Sequence, residues 1–254
     1  MRLGMLRVMP EPWNPEGNMA VLEAMVKEAA DKGVDVLMTC ECFLDGYCVS
    51  KTGVPGRMSG ELRERFESMA QPEDSPYLQK ASQLCQQYSI GMIFGLSTLE
   101  DGKIYNTAVL FGKDGREIGR YHKSHLYVHD LNYEPGNDFP VYDTPWGKIG
   151  MLICADRRWP EAARTLRVRG AEMILIPTYG MRHEVNTMWM RTRAYENECY
   201  LAFCHPNVAY ICNPLGEIDA WLESNVPGIL VHDIDPAKCR HEMFDMRRTD
   251  IYEI

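Results

Sequence analysis

The chain has 254 residues, 45% of them hydrophobic and 25% charged, with a formal charge of −9 from 27 basic and 36 acidic side chains. That balance excludes a disordered chain, a fibrous repeat and a coiled coil. The net negative charge repels phosphate backbones, so no nucleic acid partner is expected, and apolar runs such as Met151-Leu-Ile-Cys154 fall far short of the ~18–20 residues that span a bilayer.

In chain order, residues 3–8 alternate like a strand, and the N-terminus lacks the long apolar core and cleavage site of a signal peptide. A helix is predicted from 14 to 32, where Met19, Leu22, Met25, Val26 and Ala29 recur at helical spacing and Gly33 stands at the C-cap position. The run 34–39 reads as a strand buried on both faces. Residues 53–59 are loop-like, and helices follow at about 61–69 and 75–88. Strands are predicted at 90–96, 104–111 and 117–122, the last two joined through Gly112-Lys-Asp-Gly115, a hairpin signal. Residues 123–140 read as irregular. A strand at 148–154 stops abruptly before Pro160, which suits the first turn of a helix over 160–169. A strand at 173–177, a helix at 186–198 and strands at 199–204, 217–221 and 228–233 complete the reading. No linker, repeat or low-complexity segment interrupts residues 1–254, so one α/β domain with a mixed sheet is expected.

Reactive side chains gather at strand ends. Cys154 closes an apolar strand just before a polar turn, where backbone N–H groups and a following helix favour a thiolate. Glu41 follows the 34–39 strand, and Lys123 follows the 117–122 strand. A nucleophile, a base and a cation so placed suit acyl transfer.

These residues lie in stretches through which the chain resembles the nitrilase superfamily of carbon–nitrogen hydrolases over essentially its full length. They are Val36-Leu-Met-Thr-Cys-Glu41 with Asp45-Gly-Tyr47, Tyr121-His-Lys123-Ser-His-Leu126, Gly150-Met-Leu-Ile-Cys154-Ala-Asp-Arg-Arg-Trp-Pro-Glu161, Arg193-Ala-Tyr-Glu-Asn197 and Arg247-Arg-Thr-Asp-Ile-Tyr252. The resemblance implies a four-layer α-β-β-α sandwich with mixed sheets. It implies Glu41 as general base, Cys154 as nucleophile, and Lys123 with the Ala155 N–H as the oxyanion hole. Neither metal nor organic cofactor is implied. Cys40 replaces the proline that usually precedes the first glutamate. Many members carry a second glutamate between the lysine and the Pro-Gly turn; Glu134 is the candidate here, with Asp130 or His129 as alternatives.

The Cys-Ala-Asp-Arg-Arg-Trp-Pro-Glu segment looks most like the N-carbamoyl-D-amino-acid amidohydrolase branch. That makes Arg157 and Arg158 candidate grips for a substrate carboxylate, with Tyr47 and Tyr179 as further candidate contacts. An N-carbamoyl amino acid is therefore the favoured substrate class. The short stretches after Pro177 and between Asn207 and Pro214 keep an aliphatic or ω-amidase open, with a nitrilase further off and a catalytically silent scaffold as the non-enzyme alternative.

Other arrangements compete. His122, His125 and His129 have metal-like spacing only in a helix, and their segment reads as strand and turn. Cys40 and Cys42 are too awkwardly placed for a zinc knot, and nothing papain-like or caspase-like surrounds Cys154 to support a Cys–His protease. Nine irregularly spaced cysteines suit a reduced, cytoplasmic protein rather than a disulfide scaffold. The family resemblance also implies a homodimer or higher homo-oligomer, for which the helix bearing Met188-Trp-Met190 and the C-terminal tail are candidate interfaces.

Overall fold

Alternation along the first two strands sorts their side chains between two apolar layers. In β1 (Arg2–Arg7) and β2 (Val36–Met38), Leu3, Met5, Val36 and Met38 face one side, while Leu6 and Leu37 face the other. The first set meets a second sheet; the second set meets the apolar stripes of α1 (Pro15–Asp31) and α3 (Pro76–Tyr88). The computed structural model describes residues 1–53, 56–180 and 184–252.

Both helices start as their sequences dictate. Asn14 accepts from the Gly17 N–H at 2.9 Å ahead of Pro15, and Ser75 accepts from the Tyr77 N–H at 3.1 Å ahead of Pro76. Gly33, at φ +69°, follows the end of α1 in the left-handed region that an unbranched backbone tolerates.

β3 (Gly91–Glu100), β4 (Lys103–Phe111) and β5 (Glu117–His122) extend the first sheet, and β12 (Gly228–Asp233) closes its far edge, giving the order β12-β1-β2-β3-β4-β5. β1, β2 and β3 pair in parallel, and the remaining pairs of this sheet are antiparallel. The second sheet collects β6 (Val141–Thr144), β7 (Gly147–Met151), β8 (Met173–Pro177), β9 (Tyr200–Cys204), β10 (Val208–Cys212) and β11 (Ile218–Glu223) in the order β11-β10-β9-β8-β7-β6, with β7, β8 and β9 parallel. Its apolar side chains join those of the first sheet, and on its outer side Ala163 and Leu166 of α4 (Pro160–Val168) and Met190 and Ala194 of α5 (Glu184–Asn197) extend the same core. The result is the four-layer α-β-β-α sandwich. Burying each large aliphatic side chain between such layers contributes roughly 1.5–3 kcal/mol, which offsets the ordering of the chain.

Two strands escape the sequence reading. β6 is a short edge strand without an apolar alternation, and β10 is a fully buried Val-Ala-Tyr-Ile-Cys run in the stretch read as an abbreviated loop. The predicted strand over 148–154 ends at Met151; Leu152 and Ile153 run on to Cys154, which opens a 3₁₀ turn (Cys154–Arg158). The segment read as irregular after Lys123 contains another 3₁₀ turn (Val128–Asn132). α2 (Gly60–Met69) and the short α6 (Glu242–Asp245) lie outside the layers that position the site.

Candidate active site

Glu41 stands just beyond β2, at the end of a segment bound to β3. The Thr39 N–H donates to the Ile93 carbonyl at 3.0 Å, and the Gly95 N–H donates to Thr39 Oγ1 at 2.9 Å. The carboxylate is 1% exposed. Its Oε1 accepts from Lys123 Nζ at 2.7 Å and Asn106 Nδ2 at 2.9 Å, and its Oε2 accepts from the Tyr179 N–H at 3.0 Å.

Lys123 follows β5 and is equally buried. Its ammonium also donates to Asp130 Oδ2 at 2.7 Å. Burial works against the charged lysine, but Glu41, Cys154 and Asp130 outweigh it and hold the ammonium well above the ordinary lysine range. Asp130 lies on the inner face of the 3₁₀ turn, whose start it caps by accepting from the Tyr127 N–H at 2.9 Å. The Tyr47 hydroxyl donates to its other oxygen at 2.7 Å.

Of the three candidates for the supporting position, only Asp130 reaches Lys123. His129 points to solvent on the same turn. Glu134 gives its N–H to the Ile104 carbonyl at 2.7 Å, and it lines a separate surface cavity with Arg57, Arg63 and Lys103. The second carboxylate bonded to Lys123 is therefore that of Asp130, not that of Glu134.

Cys154 is half-buried and adopts φ +46°, a left-handed conformation rare for a side chain with a Cβ. Burial raises its thiol pKa, and Glu41 adds to the rise; Lys123, Arg157 and the Gly180 N–H pull it down. The turn is fastened by Asp156, which is fully buried. Its carboxylate accepts from the Ile153 N–H at 3.0 Å, the Tyr121 hydroxyl at 2.7 Å and the His125 N–H at 2.8 Å, so the segments carrying Lys123 and Cys154 share one anchor. Ala155, the residue next to Cys154 in the turn, is 5% exposed.

The two arginines part company. Arg157 is buried beneath the turn, where its guanidinium donates to the Cys154 carbonyl, to Asn186 Oδ1 and to the Gly180 carbonyl, and it lies over the Phe203 ring. Three of its five N–H donors are spent on the protein, and at 1% exposure the side chain is poorly placed to meet a substrate carboxylate. Arg158 is half-buried, with its guanidinium 4.9 Å from the Tyr127 ring centroid and 5.7 Å from that of Trp189.

Tyr47 and Tyr179 sit together above the Glu41–Lys123 pair, ring centroids 5.2 Å apart, with Lys123 Nζ 5.8 Å from the Tyr47 ring. Part of the stretch after Tyr179, residues 181–183, lies outside the described residues.

Sequence reasoning missed Asn106, Asp156 and Asn186. The signal for Asn106 was a polar residue inside an otherwise apolar strand, which needs a buried partner. Among the described residues no cluster of three His, Cys, Asp or Glu side chains is arranged to hold a metal ion. His122 engages Thr107 and Glu100, and His125 engages Asp156. No helix among them is long and apolar enough to cross a membrane.

Comparison with known proteins shows the family of the chain and agrees with its fold. The family model described as carbon-nitrogen hydrolase matches residues 2–241. A protein described as "Hydrolase in pqqF 5'region" from Pseudomonas protegens is 32% identical over 81% of this chain and 69% of its own length. The omega-amidase NIT2 of Homo sapiens is 28% identical over 91% of this chain and 89% of its own. Among solved structures, the NitN amidase from Neterenkonia sp. AN1 superposes with a TM-score of 0.81 at 23% identity, covering 99% of this chain and 98% of that one. The chain belongs to the carbon–nitrogen hydrolases of the nitrilase superfamily.

Proposed function

We propose that this enzyme hydrolyses the C–N bond of a small linear amide through a thioester on Cys154, with Glu41 as the base and Lys123 as the oxyanion's cation. One observation carries the reading: a single buried ammonium is held between two carboxylates, beside a thiol whose pKa is raised and whose backbone is strained.

The chemistry follows from those charges. Cys154 rests as a neutral thiol, so its proton passes to Glu41 as Sγ attacks the carbonyl carbon. The developing oxyanion is met by the buried Lys123 ammonium and the Ala155 N–H. Glu41 returns the proton to the leaving nitrogen, the C–N bond breaks and ammonia departs. Water then loses a proton to Glu41 and attacks the thioester. The Cys154 sulfur leaves and recovers the proton, and the carboxylic acid is released. Asp130 holds the lysine in place and charged while Glu41 cycles, and Tyr47 fixes Asp130. Neither a metal nor an organic cofactor has a step in this sequence.

For the substrate we favour an ω-amide, a linear molecule with a terminal carboxamide and a carboxylate at its far end. Arg157 is committed to the protein's own carbonyls, which removes one of the two arginines that favoured an N-carbamoyl amino acid. Arg158 beside Tyr127 can meet a carboxylate from either class, and the relative named omega-amidase supports the first. Tyr47 and Tyr179 would flank the aliphatic part. On this reading one domain spanning 1–254 works in the cytoplasm as a homodimer or higher homo-oligomer, for which exposed Val185, Met188 and Tyr195 on α5 offer apolar surface.

The test is ammonia release from ω-amides, plain aliphatic amides and both enantiomers of N-carbamoyl amino acids, with Cys154→Ala as the control. Release from ω-amides that is lost in the variant supports the proposal. Release from carbamoyl acids alone would replace the substrate class, and release unaffected by the variant would overturn the mechanism.

A further inference from the structure

Asp45 lies between Glu41 and Tyr47 in a loop with two non-glycine residues in the left-handed region, Cys42 at φ +45° and Tyr47 at φ +48°. Its carboxylate is 1% exposed and accepts from the Ser97 N–H at 3.0 Å, the Ser97 hydroxyl at 2.8 Å and the Cys48 N–H at 3.4 Å.

The directions of the next bonds follow by elimination. Ser97 has one hydroxyl hydrogen and gives it to Asp45, so the Tyr133 hydroxyl, 2.9 Å away, donates to Ser97 Oγ. Tyr133 has then spent its hydrogen, so the Cys42 thiol, 3.6 Å away, donates to Tyr133. The chain therefore runs one way, from Cys42 through Tyr133 and Ser97 to Asp45.

Its members tie together the segments that carry the two carboxylates bonded to Lys123. Cys42 adjoins Glu41. The Tyr133 N–H donates to the Asp130 carbonyl at 2.9 Å and closes the turn that presents Asp130. Ser97 belongs to β3, whose Gly95 carbonyl accepts from the Leu44 N–H of the same loop at 3.1 Å. Beyond Asp45 the loop delivers the Tyr47 hydroxyl to Asp130.

We propose that Asp45 is a positioning residue for the hydrolysis: its carboxylate terminates the Cys42–Tyr133–Ser97 chain and so fixes the loop that puts Tyr47 on Asp130 and, through Asp130, sets the Lys123 ammonium. The proposal rests on the reading of Lys123 as the oxyanion's cation. A buried acid that merely fills space would leave the Lys123 charge where it is; one that acts through Tyr47 would not.

The test is a double-mutant cycle with Asp45→Asn and Tyr47→Phe, read as kcat and KM on a hydrolysed amide and as the pH profile of Cys154 alkylation by iodoacetamide. Asparagine keeps the shape of Asp45 but offers one acceptor oxygen where three donors converge. Asp45→Asn is expected to lower kcat roughly tenfold with little change in KM, and to move the alkylation profile to higher pH as Lys123 loses its place. In the Tyr47→Phe background the same substitution is expected to cost less than about twofold. Equal losses in both backgrounds, or a lower thermal midpoint with kcat and alkylation unchanged, would overturn the proposal. Should Asp45→Asn fail to fold, Ser97→Ala goes through the same cycle under the same criteria. The alkylation profile needs no substrate, so it decides the role of Asp45 even if every amide on the panel is refused.

Discussion

Asp130 Oδ2 lies 2.7 Å from the Lys123 ammonium, the same distance as Glu41 Oε1 on its other side. Two carboxylates on one buried lysine fix its position more tightly than either alone. Removing one carboxylate's charge should disturb both the position and the charge of the lysine. Asp130→Asn is expected to lower kcat by about 10²-fold, the scale of losing a preorganised electrostatic contact. Glu134→Gln is expected to stay within about twofold of wild type, because that side chain serves a different cavity. Steady-state kinetics of the two variants side by side would check this, and the reverse ranking would return the supporting role to Glu134.

Arg157 and Arg158 should fail differently. Truncating Arg157 strands the Cys154 and Gly180 carbonyls and Asn186 without their donor, so Arg157→Ala is expected to destabilise the fold by roughly 3 kcal/mol or more. Arg158→Ala takes a half-buried guanidinium off the Tyr127 and Trp189 rings and is expected to cost less stability than Arg157→Ala. It should raise KM about tenfold for carboxylate-bearing amides, and not for plain ones, on the scale of one charge-assisted pair. Equal effects on charged and uncharged substrates would remove Arg158 from substrate recognition.

The strand-end logic made Glu41 and Cys154 visible in the sequence, because apolar runs that stop at a charged or nucleophilic residue leave a local trace; Lys123 follows the mixed strand Glu117–His122 and stood out only by its place at a strand end. Asp130 and Arg157 left none. Both lie in 3₁₀ turns, and which residue of such a turn faces inward depends on where the turn begins, which no periodicity announces. A 3₁₀ turn has three residues per revolution, so Arg157 falls back under Cys154 while Arg158 swings outward. From the bare Arg-Arg pair the two are indistinguishable. Long-range pairing is the other blind spot. β12 closes the first sheet by pairing with β1 across more than 200 residues, Met5 opposite Leu230, although β11 just before it in sequence belongs to the second sheet.

Gly95 offers a packing test of how tightly Glu41 is placed. A Cβ there would lie 2.3 Å from the Cys40 carbonyl oxygen and 3.0 Å from the Cys42 nitrogen, both backbone atoms flanking Glu41. Gly95→Ala is therefore expected to cost about 1–3 kcal/mol and to lower kcat as well, since the segment that yields is the one bearing Glu41, the proposed base. Gly33, at φ +69° with nothing within 4 Å of an added Cβ, is the contrast. Gly33→Ala should cost about 1 kcal/mol of backbone strain and leave kcat unchanged. Thermal melts paired with kinetics would separate them.

Burial pushes the Asp45 carboxyl up to about 6, against the pull of its Ser97 and Cys48 donors. Cys42, Cys48 and Tyr133 are the titratable neighbours facing it, and burial raises all three, so they stay neutral in this range. The folded pKa exceeds the unfolded value of about 3.8, so the native state takes up this proton first as pH falls. The contribution to stability therefore grows from pH 6 towards 4 and is absent above 6. Relative to Asp45→Asn, wild type should gain on the order of 1 kcal/mol between pH 7.5 and 5 in urea unfolding. A gain of the opposite sign would mean that the donors outweigh burial.

Cys154 gives the sharpest pH test, because hydrolysis and alkylation ask different things of it. Glu41 raises the thiol pKa through its negative charge and also serves as the proposed base, whereas Lys123 lowers that pKa. Glu41→Gln removes the charge and the base together. Its thiol pKa should fall, and its alkylation at pH 8 should quicken while hydrolysis is lost. The gain is about threefold per unit of fall, since a tenfold rise in thiolate is partly offset by its weaker nucleophilicity. Lys123→Met should raise the thiol pKa and slow both reactions. Iodoacetamide rates at fixed pH, set beside ammonia release, read the two effects independently. If Glu41→Gln slowed alkylation as well, Glu41 would be acting on Cys154 by geometry rather than by charge, and its place as the base would have to be given to another group.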